Sequence, residues 1–268
     1  MSRFVQALER LNKESGTAAS SFGFVRSAAK QERAAVMVLL AISGQAEHAA
    51  AIAKQSDGFL VRPAGRTAET AVTKAFADGA PQGAWGMQVS KLSPEQAMSL
   101  KKQGCDFVAL ASAAIPLDGL KENELGRILL VSNDQDREQA RVFSAMPLDA
   151  VLLAEPLTLP LTLQQLVEAA TLRSWFTKPM LVTLAGVPSQ WELECLRDIG
   201  MSGIGLQVDQ AGLPALEAFH RAVRQLGPRR MPKGDRTIAL VPSMQVGAGP
   251  GQRPEPPDPD REDDDDEP

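Results

Sequence analysis

Eight short apolar runs recur along the chain, and nearly every one is followed by a segment with the periodicity of a helix. The runs cover residues 36–42, 58–61, 85–89, 107–111, 128–131, 150–154, 180–184 and 204–208. Strands that alternate with helices eight times are typical of a closed parallel sheet surrounded by helices. The sequence therefore predicts an α/β fold, a (β/α)8 barrel of the TIM type. The alternative is an open doubly wound sheet, but no glycine-rich loop follows the first run.

The even-numbered runs repeat at a regular interval. Their apolar residues begin at Phe59, Phe107, Ala150 and Ile204, so successive starts lie 43 to 54 residues apart. An interval of roughly 50 residues is too long for one strand and one helix and fits two of each, which predicts four (βα)2 modules. A small or acidic residue precedes each even run, whereas the odd runs often follow proline, glycine or a basic residue.

Helix-start signals follow several of the runs. Ser93 precedes a proline and lies three residues before Gln96, and Ser189 lies three residues before Glu192. Both spacings are those of a capping box, in which two side chains satisfy the free N–H groups at a helix start. The fourth helix is the weakest of the series, since residues 116–126 leave room for only one or two turns.

The extent of the regular pattern predicts the domain organisation. Residues 2–12 form an amphipathic helix with Phe4, Leu8 and Leu11 on one face, and residues 13–27 form a loop. We expect this helix to cover the bottom of the barrel; docking to a membrane surface or a partner is the alternative. The predicted segments are the N-terminal helix and loop at 1–35, the barrel at 36–226, an extension with a peripheral strand (237–241) at 227–246, and a disordered acidic tail at 247–268.

Negative charge is concentrated in the tail. The last 22 residues contain nine acidic residues and two arginines, so the rest of the chain has a net charge close to zero. A body without excess positive charge gives no indication of nucleic-acid binding. No apolar run reaches the roughly 18 residues of a membrane helix, and the start of the chain does not have the pattern of a secretory leader. We therefore expect a cytoplasmic protein that binds neither nucleic acid nor membranes.

Side chains that commonly bind metals or act as nucleophiles are few. Cys105 and Cys195 show no disulfide or metal-site spacing, and His48 and His220 fall within helical segments. No lysine ends a strand, which argues against a Schiff-base mechanism. We therefore expect no metal and no cofactor.

The ligands of such barrels contact the residues that end the strands. The two charged candidates of most interest are Arg62 after the second strand and Glu155 after the sixth, because these two strands face each other across a closed barrel. We expect Arg62 to bind a carboxylate or a phosphate, and Glu155 to act as a general acid or base. In the structural alternative the two side chains pair with each other or with loop backbone, and the proline after each one fixes an exit turn.

The other candidates at the strand ends are mostly uncharged. Asp134 is a second candidate acid or base, although either it or Asn133 can instead cap the helix after the fifth strand. The remaining candidate ligand-binding residues are Gln88, Ser112, Gly186, Gln207 and Asp209. The two glutamines can orient a ligand by hydrogen bonds but cannot transfer protons near pH 7.

Three features stand out between residues 178 and 208. They are Lys178-Pro179 before the strand, Ala185-Gly186-Val187 after it, and Gly200-Met201-Ser202-Gly203 before the next strand. With these features the stretch resembles the seventh strand, seventh helix and eighth strand of the ribulose-phosphate-binding barrels, and residues 103–110 are similar to their fourth strand. The resemblance implies a barrel that holds a substrate phosphate on backbone amides after strands seven and eight, with Gly186 in the first half of that site.

The sequence departs from that family in the second half of the implied phosphate site. Gln207-Val208-Asp209-Gln210 stands where the family has a small Gly-Ser turn, and the Asp209 carboxylate would repel a phosphate unless it turns away. The acidic and lysine catalysts of the family also have no counterparts at the strand ends.

Two functional hypotheses follow. In the first, the barrel binds a small anionic metabolite, phosphorylated or carboxylated, at the C-terminal rim and acts as a lyase or an isomerase. In the second, the barrel is catalytically degenerate and serves as a binding or scaffold protein. The regular part spans 191 residues, which is short for a barrel of about 200–250 residues, and the short loops that this implies favour the second. The sequence indicates no particular oligomeric state.

Overall fold

The computed structural model describes residues 2–17, 36–44, 49–63, 83–121 and 124–229. The chain divides into two compact units, Met1–Met231 and Pro232–Pro268. The strand predicted at 237–241, the disordered tail predicted at 247–268, residues 18–27 of the predicted loop and His48 all lie outside the described residues.

Eight parallel strands close into a barrel. They are β1 (Val38–Ser43), β2 (Gly58–Val61), β3 (Trp85–Val89), β4 (Phe107–Leu110), β5 (Gly126–Val131), β6 (Ala150–Leu153), β7 (Met180–Leu184) and β8 (Gly203–Gln207). Each strand pairs with the next one in chain order, and β8 pairs with β1 over the five residues from Val38 to Ile42. The predicted (β/α)8 barrel is confirmed, and the open sheet is excluded.

The described residues contain one helix before the first strand and further helices that follow strands. They are α1 (Arg3–Thr17), α2 (Ala49–Lys54), α3 (Pro94–Lys102), α4 (Arg137–Ala145), α5 (Leu163–Trp175), α6 (Gln190–Asp198), α7 (Val208–Ala211) and α8 (Leu213–Gln225). A single 3₁₀ segment, Leu117–Leu120, lies between β4 and β5, in agreement with the short fourth helix that the sequence predicts. Within the described ranges, no helix is long and apolar enough to cross a membrane.

Both predicted capping boxes are confirmed. The Ser93 side chain accepts the Gln96 N–H at 3.2 Å, and the Gln96 side chain accepts the Ser93 N–H at 3.0 Å. Ser189 and Glu192 repeat this arrangement at the start of α6. These reciprocal bonds satisfy N–H groups that have no partner within the helix, and so they define where α3 and α6 begin.

The prediction that Asn133 or Asp134 caps the helix after β5 was wrong. Asp136 is the cap, and its side chain accepts the Glu138 N–H at 3.1 Å. Residues 132–135 form a turn in which the Ser132 hydroxyl donates to the Asp134 carboxylate. The chain therefore reaches helical geometry only after this turn, and Asp136, immediately before the first helical residue, becomes the cap.

Two element boundaries also differ from the expectation. α1 continues to Thr17, so the first residues of the predicted 13–27 loop are helical. Extending a helix that is already anchored costs little, even without further apolar residues. β8 ends at Gln207, and Asp209 belongs to the short helix α7 rather than to the end of the strand.

Apolar side chains form one core inside the barrel and a second core between the strands and the outer helices. The inner core contains Phe4, Leu8, Val38, Leu40, Ile42, Leu60, Phe107, Ala109, Ile128, Ala150, Leu152 and Leu181. Its strand residues alternate along each strand with residues of the outer core, as the two-residue period of a strand requires. Two of its members, Phe4 and Leu8, come from α1 rather than from a strand.

α1 lies against the N-terminal ends of the strands. Phe4 stacks on Phe107, the first residue of β4, with ring centroids 4.7 Å apart. Phe4 also lies so close to Gly58, the first residue of β2, that a Cβ there would sit 2.5 Å from its ring, and Val5 crowds Gly126 of β5 in the same way at 2.6 Å. The helix therefore covers the bottom of the barrel.

The acidic residues that precede the even strands hold neighbouring backbone. Asp57, before β2, accepts the Leu39 N–H of β1 at 2.9 Å. Asp149, before β6, accepts the Arg127 N–H of β5 at 2.8 Å. These contacts explain why an acidic residue recurs in the even lead-ins, because each carboxylate satisfies an N–H of the preceding odd strand.

The acidic residue before β4 has a different partner, the N-terminus of α1. Asp106 accepts the Ser2 hydroxyl at 2.7 Å, the Arg3 N–H at 2.8 Å and the Phe4 N–H at 2.9 Å. A carboxylate at a helix N-terminus satisfies free N–H groups and interacts favourably with the helix dipole. Asp106 thereby fixes the bottom helix to the sheet.

We expect Asp106→Ala to lower the free energy of unfolding by about 2–4 kcal/mol, because it leaves buried donors without an acceptor. Urea unfolding followed by circular dichroism measures the change. Asp118→Ala is the matched control, since Asp118 forms an exposed pair with Lys121, and it should change stability by less than about 0.5 kcal/mol. Equal effects of the two variants would contradict this role of Asp106.

Candidate functional site

A cavity of about 430 Å³ opens at the end of the barrel opposite to α1. Its lining residues belong to β2 through β6, to the segments that follow these strands, and to α4. They are Arg62, Gln88, Ala111, Ala113, Leu129, Leu130, Ser132, Gln135, Phe143 and Ala154. Pockets that bind small molecules in proteins have volumes of about 300–1,000 Å³, so this cavity has a suitable size.

Arg62 and Gln88 lie side by side at the cavity. Val61 of β2 pairs with Met87 of β3, so the residue after each takes an equivalent position on adjacent strands, about 5 Å apart. Strand alternation directs both side chains inward, because Leu60, two residues before Arg62, belongs to the inner core. The Arg62 N–H donates to the carbonyl of Ser43 at 2.8 Å and so fixes the backbone at this position.

Both side chains have unsatisfied hydrogen-bonding atoms. The Nε and Nη2 atoms of Arg62 and the Oε1 atom of Gln88 are buried and have no hydrogen-bond partner among the described residues. Burial lowers the pKa of the Arg62 guanidinium, because it removes water from the charged form. Gln55 and Gln103 also have a buried unpaired oxygen, but neither of them lines the cavity.

The rest of the described wall is largely apolar. Ala111 after β4 and Ala154 after β6 are small, and their size leaves space beside the larger Arg62. Leu130 on β5 and Phe143 on α4 are only partly buried by the protein and so present apolar surface to the cavity. The cavity thus combines a polar corner at β2 and β3 with an apolar wall at β5 and α4.

Neither of the two candidate acid–base residues lines this cavity. Glu155 is exposed, and its carboxylate accepts the Asn133 N–H at 3.0 Å. Asp134 is exposed and accepts the Ser132 hydroxyl. Arg62 and Glu155 end facing strands at the same rim, but no ion pair joins them within the described residues. The contact of Glu155 with loop backbone is the one that the structural alternative predicts.

Three further candidates also lie at the rim but outside the cavity lining. The exposed Ser112 hydroxyl accepts the Ala114 N–H at 3.1 Å. Gly186 follows β7. A Cβ there would meet only Leu159 at 3.6 Å, so packing does not require a glycine at this position. Gln207 is the half-buried last residue of β8. The structure therefore brings together Arg62 and Gln88 of the candidate set and leaves the others around them.

Asp209 joins the ends of β8 and β1. Its carboxylate accepts the Ser43 hydroxyl at 2.5 Å and the Gly44 N–H at 2.6 Å. The Asp209 carboxylate is therefore bound by other groups of the protein, at the seam between β8 and β1 where the barrel closes. This contact was not predictable from the sequence, because the two residues lie 166 positions apart.

The sequence-based site also missed the apolar half of the cavity. Phe143 lies on a helix rather than at a strand end, and Leu130 is an ordinary strand residue by its pattern. No motif marks either of them. In the described part of the chain, no three or more His, Cys, Asp or Glu side chains cluster in a way that could hold a metal ion.

Solved structures with the same barrel are numerous. A chain of tryptophan synthase from M. tuberculosis is similar with a TM-score of 0.55 and 13% identity, over 84% of this chain and 98% of that one. Phosphoribosyl anthranilate isomerase from Thermococcus kodakaraensis gives a TM-score of 0.51 and 15% identity, over 71% and 100% of the two chains. Thiamine phosphate pyrophosphorylase from Pyrococcus furiosus gives 0.50 and 13%, over 71% and 98%.

These similarities show that the chain has the same (β/α)8 barrel fold as these proteins. The barrel implied by the resemblance of residues 178–208 is thus confirmed as a fold, and identities this low carry no information beyond it. No family model matches the sequence, and no curated protein matches it.

Because the half-buried charge of Arg62 has no described partner, we expect Arg62→Met to raise the stability of the ligand-free protein by at most about 1 kcal/mol. Methionine keeps an apolar stem of similar length and removes the desolvated charge. Urea unfolding measures the effect, with Arg221→Met on the exposed side of α8 as the control that should change little. A clear loss of stability in Arg62→Met would show that the guanidinium has a structural role instead.

The seam contact predicts a coupling between Ser43 and Asp209. In a double-mutant cycle of Ser43→Ala and Asp209→Ala, we expect a coupling energy of about 1 kcal/mol, because each variant removes the same charge-assisted hydrogen bond. Thermal or urea unfolding of the four proteins provides the cycle. Additive effects of the two substitutions would mean that the hydrogen bond does not contribute to stability.

Proposed function

We propose that this barrel binds a small anionic metabolite in the rim cavity, with the Arg62 guanidinium as the anion contact. The observation that carries the proposal is that Arg62 and Gln88 both line one cavity and both have buried atoms without a described hydrogen-bond partner. Buried polar groups in proteins are nearly always hydrogen-bonded. Two neighbouring residues with unpaired buried atoms at one cavity therefore support a site where a ligand supplies the partner. An anion with several acceptor oxygens would satisfy the Arg62 donors together.

Gln88 would form hydrogen bonds with the part of the ligand next to its charged group. Its amide offers a carbonyl oxygen and two N–H donors and stays neutral at physiological pH. Because it lies on the strand next to Arg62, it can contact an atom adjacent to the anion, such as a hydroxyl or an amide. This pair supports recognition of a specific small molecule, since a neutral hydrogen-bonding group distinguishes ligands that share the same charge.

The enzymatic form of the proposal is a lyase or an isomerase. The structural neighbours include an isomerase and a synthase by their names, and this supports the reaction class only through the shared fold. Glu155 is the proposed acid or base for this form, with Asp134 as the second candidate. Glu155 would have to release the Asn133 N–H and turn toward the cavity to act on a bound ligand.

A second function, binding without turnover, is favoured by one specific observation. Among the described residues that line the cavity, none is an acid or a base that could exchange protons near neutral pH. The polar members are Arg62, Gln88, Ser132 and Gln135, which can hold a ligand but not transform it by proton transfer. A barrel with this lining would act as a binding or scaffold protein.

The proposed location is the cytoplasm, where small metabolites are abundant and thiols stay reduced. Cys105 and Cys195 are both free cysteines, which supports a reducing compartment. Burial raises the pKa of the Cys105 thiol to about 12, so this thiol is unreactive near neutral pH.

A thermal-shift screen of phosphorylated and carboxylated metabolites tests the proposal. A ligand at 100 times its dissociation constant stabilises the protein by about 2.7 kcal/mol. We therefore expect the melting temperature of the protein to rise by roughly 5 °C or more. Arg62→Ala should abolish this shift, whereas Arg221→Ala should retain it. If no anion shifts the melting temperature of the wild type, or if the shift persists in Arg62→Ala, the proposed site is wrong.

Glu155→Gln separates the two functions once a ligand is known. For an enzyme, we expect this variant to bind the ligand with unchanged affinity by calorimetry and to lose its conversion, followed by NMR of the ligand, by at least about 100-fold. For a binding protein, the wild type leaves the ligand unchanged over hours. Conversion that continues in Glu155→Gln would exclude Glu155 as the acid or base.

A further inference from the structure

We infer that the ligand of the rim cavity is a singly charged anion, a carboxylate attached to an apolar body, rather than a phosphate monoester. This inference rests on the proposed function, because it concerns the same site. It differs from the phosphate ligand that the family resemblance implies. It follows from the charge at the site and from the nature of the wall opposite Arg62.

The charge on the described lining residues matches one negative charge. Arg62 is the single cationic side chain among the described lining residues, and the other polar members are neutral. A phosphate monoester carries a charge of about −1.5 to −2 at pH 7, so one arginine would leave much of it uncompensated at a partly buried site. The single charge of a carboxylate is fully compensated by Arg62, and the two carboxylate oxygens fit the two parallel donors of a guanidinium.

Three carboxylates of the protein lie at this rim outside the cavity, and they outnumber the exposed Lys91 that follows β3. Asp134 follows β5, Glu155 follows β6 and Asp209 follows β8, and each of them accepts a hydrogen bond from a neighbouring group. They contribute negative potential at the end of the barrel where the ligand enters. A second negative charge on the ligand would be repelled by them, and this repulsion is weak for a single charge paired with Arg62.

The apolar wall defines the rest of the ligand. Leu130 and Phe143 are partly buried hydrophobic side chains at the cavity, and Ala111 and Ala154 keep the space between them and Arg62 open. Gln88, Ser132 and Gln135 can pair with some hydroxyl groups of a sugar phosphate, but those placed against Leu130 and Phe143 would have no partners. A phenyl ring or a short alkyl chain would instead bury apolar surface against it, which is favourable.

Four probes separate charge, shape and apolar contact in isothermal titration calorimetry at pH 7.5. They are 3-phenylpropionate, phenyl sulfate, phenyl phosphate and 3-phenylpropionamide. Phenyl sulfate and phenyl phosphate have the same tetrahedral shape but carry one and nearly two charges, respectively. We expect 3-phenylpropionate to bind at least tenfold more tightly than phenyl phosphate, phenyl sulfate to bind more tightly than phenyl phosphate, and the neutral amide not to bind.

Two variants with matched controls test the contacts. Arg62→Ala should abolish binding of 3-phenylpropionate, and Arg221→Ala should leave it unchanged. Phe143→Ala should lower the affinity for 3-phenylpropionate by about tenfold, since it removes the apolar contact area of roughly one ring. Val142→Ala is the control on the same helix, because Val142 is 53% exposed and does not line the cavity, and it should change the affinity less than twofold.

The outcomes distinguish this inference from the proposed function. If phenyl phosphate binds more tightly than the carboxylate and needs Arg62, the anion site stands and the inferred ligand class is overturned. If no probe binds while the metabolite screen finds an Arg62-dependent anion of another kind, the ligand class is likewise overturned. If binding of the probes is the same in Arg62→Ala as in the wild type, both the inference and the proposed function fail.

Discussion

Closure of the sheet between β8 and β1 is the constraint on which the rest of the molecule depends. Two glycines of β8 make it possible, because a Cβ at Gly203 would lie 2.5 Å from Val38 and one at Gly205 would lie 2.9 Å from Ile42. The absence of these side chains lets the larger residues of β1 fill the interior. Only a closed barrel brings the ends of β2 through β6 around one cavity. Closure also brings the N-terminal ends of the strands into a ring that α1 covers.

The architecture was predictable from the sequence because it depends on a repeated physical pattern. Buried parallel strands must be apolar over several residues, and each needs a helix to cover its outer face, so eight repeats leave few other folds. The caps at Ser93 and Ser189 were predictable for the same reason, since their partners lie three residues away. The cap at Asp136 was not, because Asn133, Asp134 and Asp136 are all suitable caps by residue type, and the turn that precedes the helix decides between them.

The site was only partly predictable, and the reason is geometric. A strand end places a residue at the rim, but whether its side chain faces the interior depends on strand alternation and on where the strand stops. Arg62 and Gln88 continue the inward positions of β2 and β3, whereas Glu155 lies one residue beyond the inward Ala154 and is directed to solvent. Phe143 was beyond prediction, since it reaches the cavity from an outer helix.

The rim therefore divides into two halves with different tasks. At β8 and β1, the Asp209 carboxylate is bound by Ser43 and Gly44 and stabilises the seam, so an internal anion already occupies the donors there. At β2 and β3, Arg62 and Gln88 keep buried atoms unpaired, which costs stability in the absence of a ligand. A fold tolerates such a cost where function requires it. The half of the rim with unmet hydrogen bonds is accordingly the half where we propose that a ligand binds.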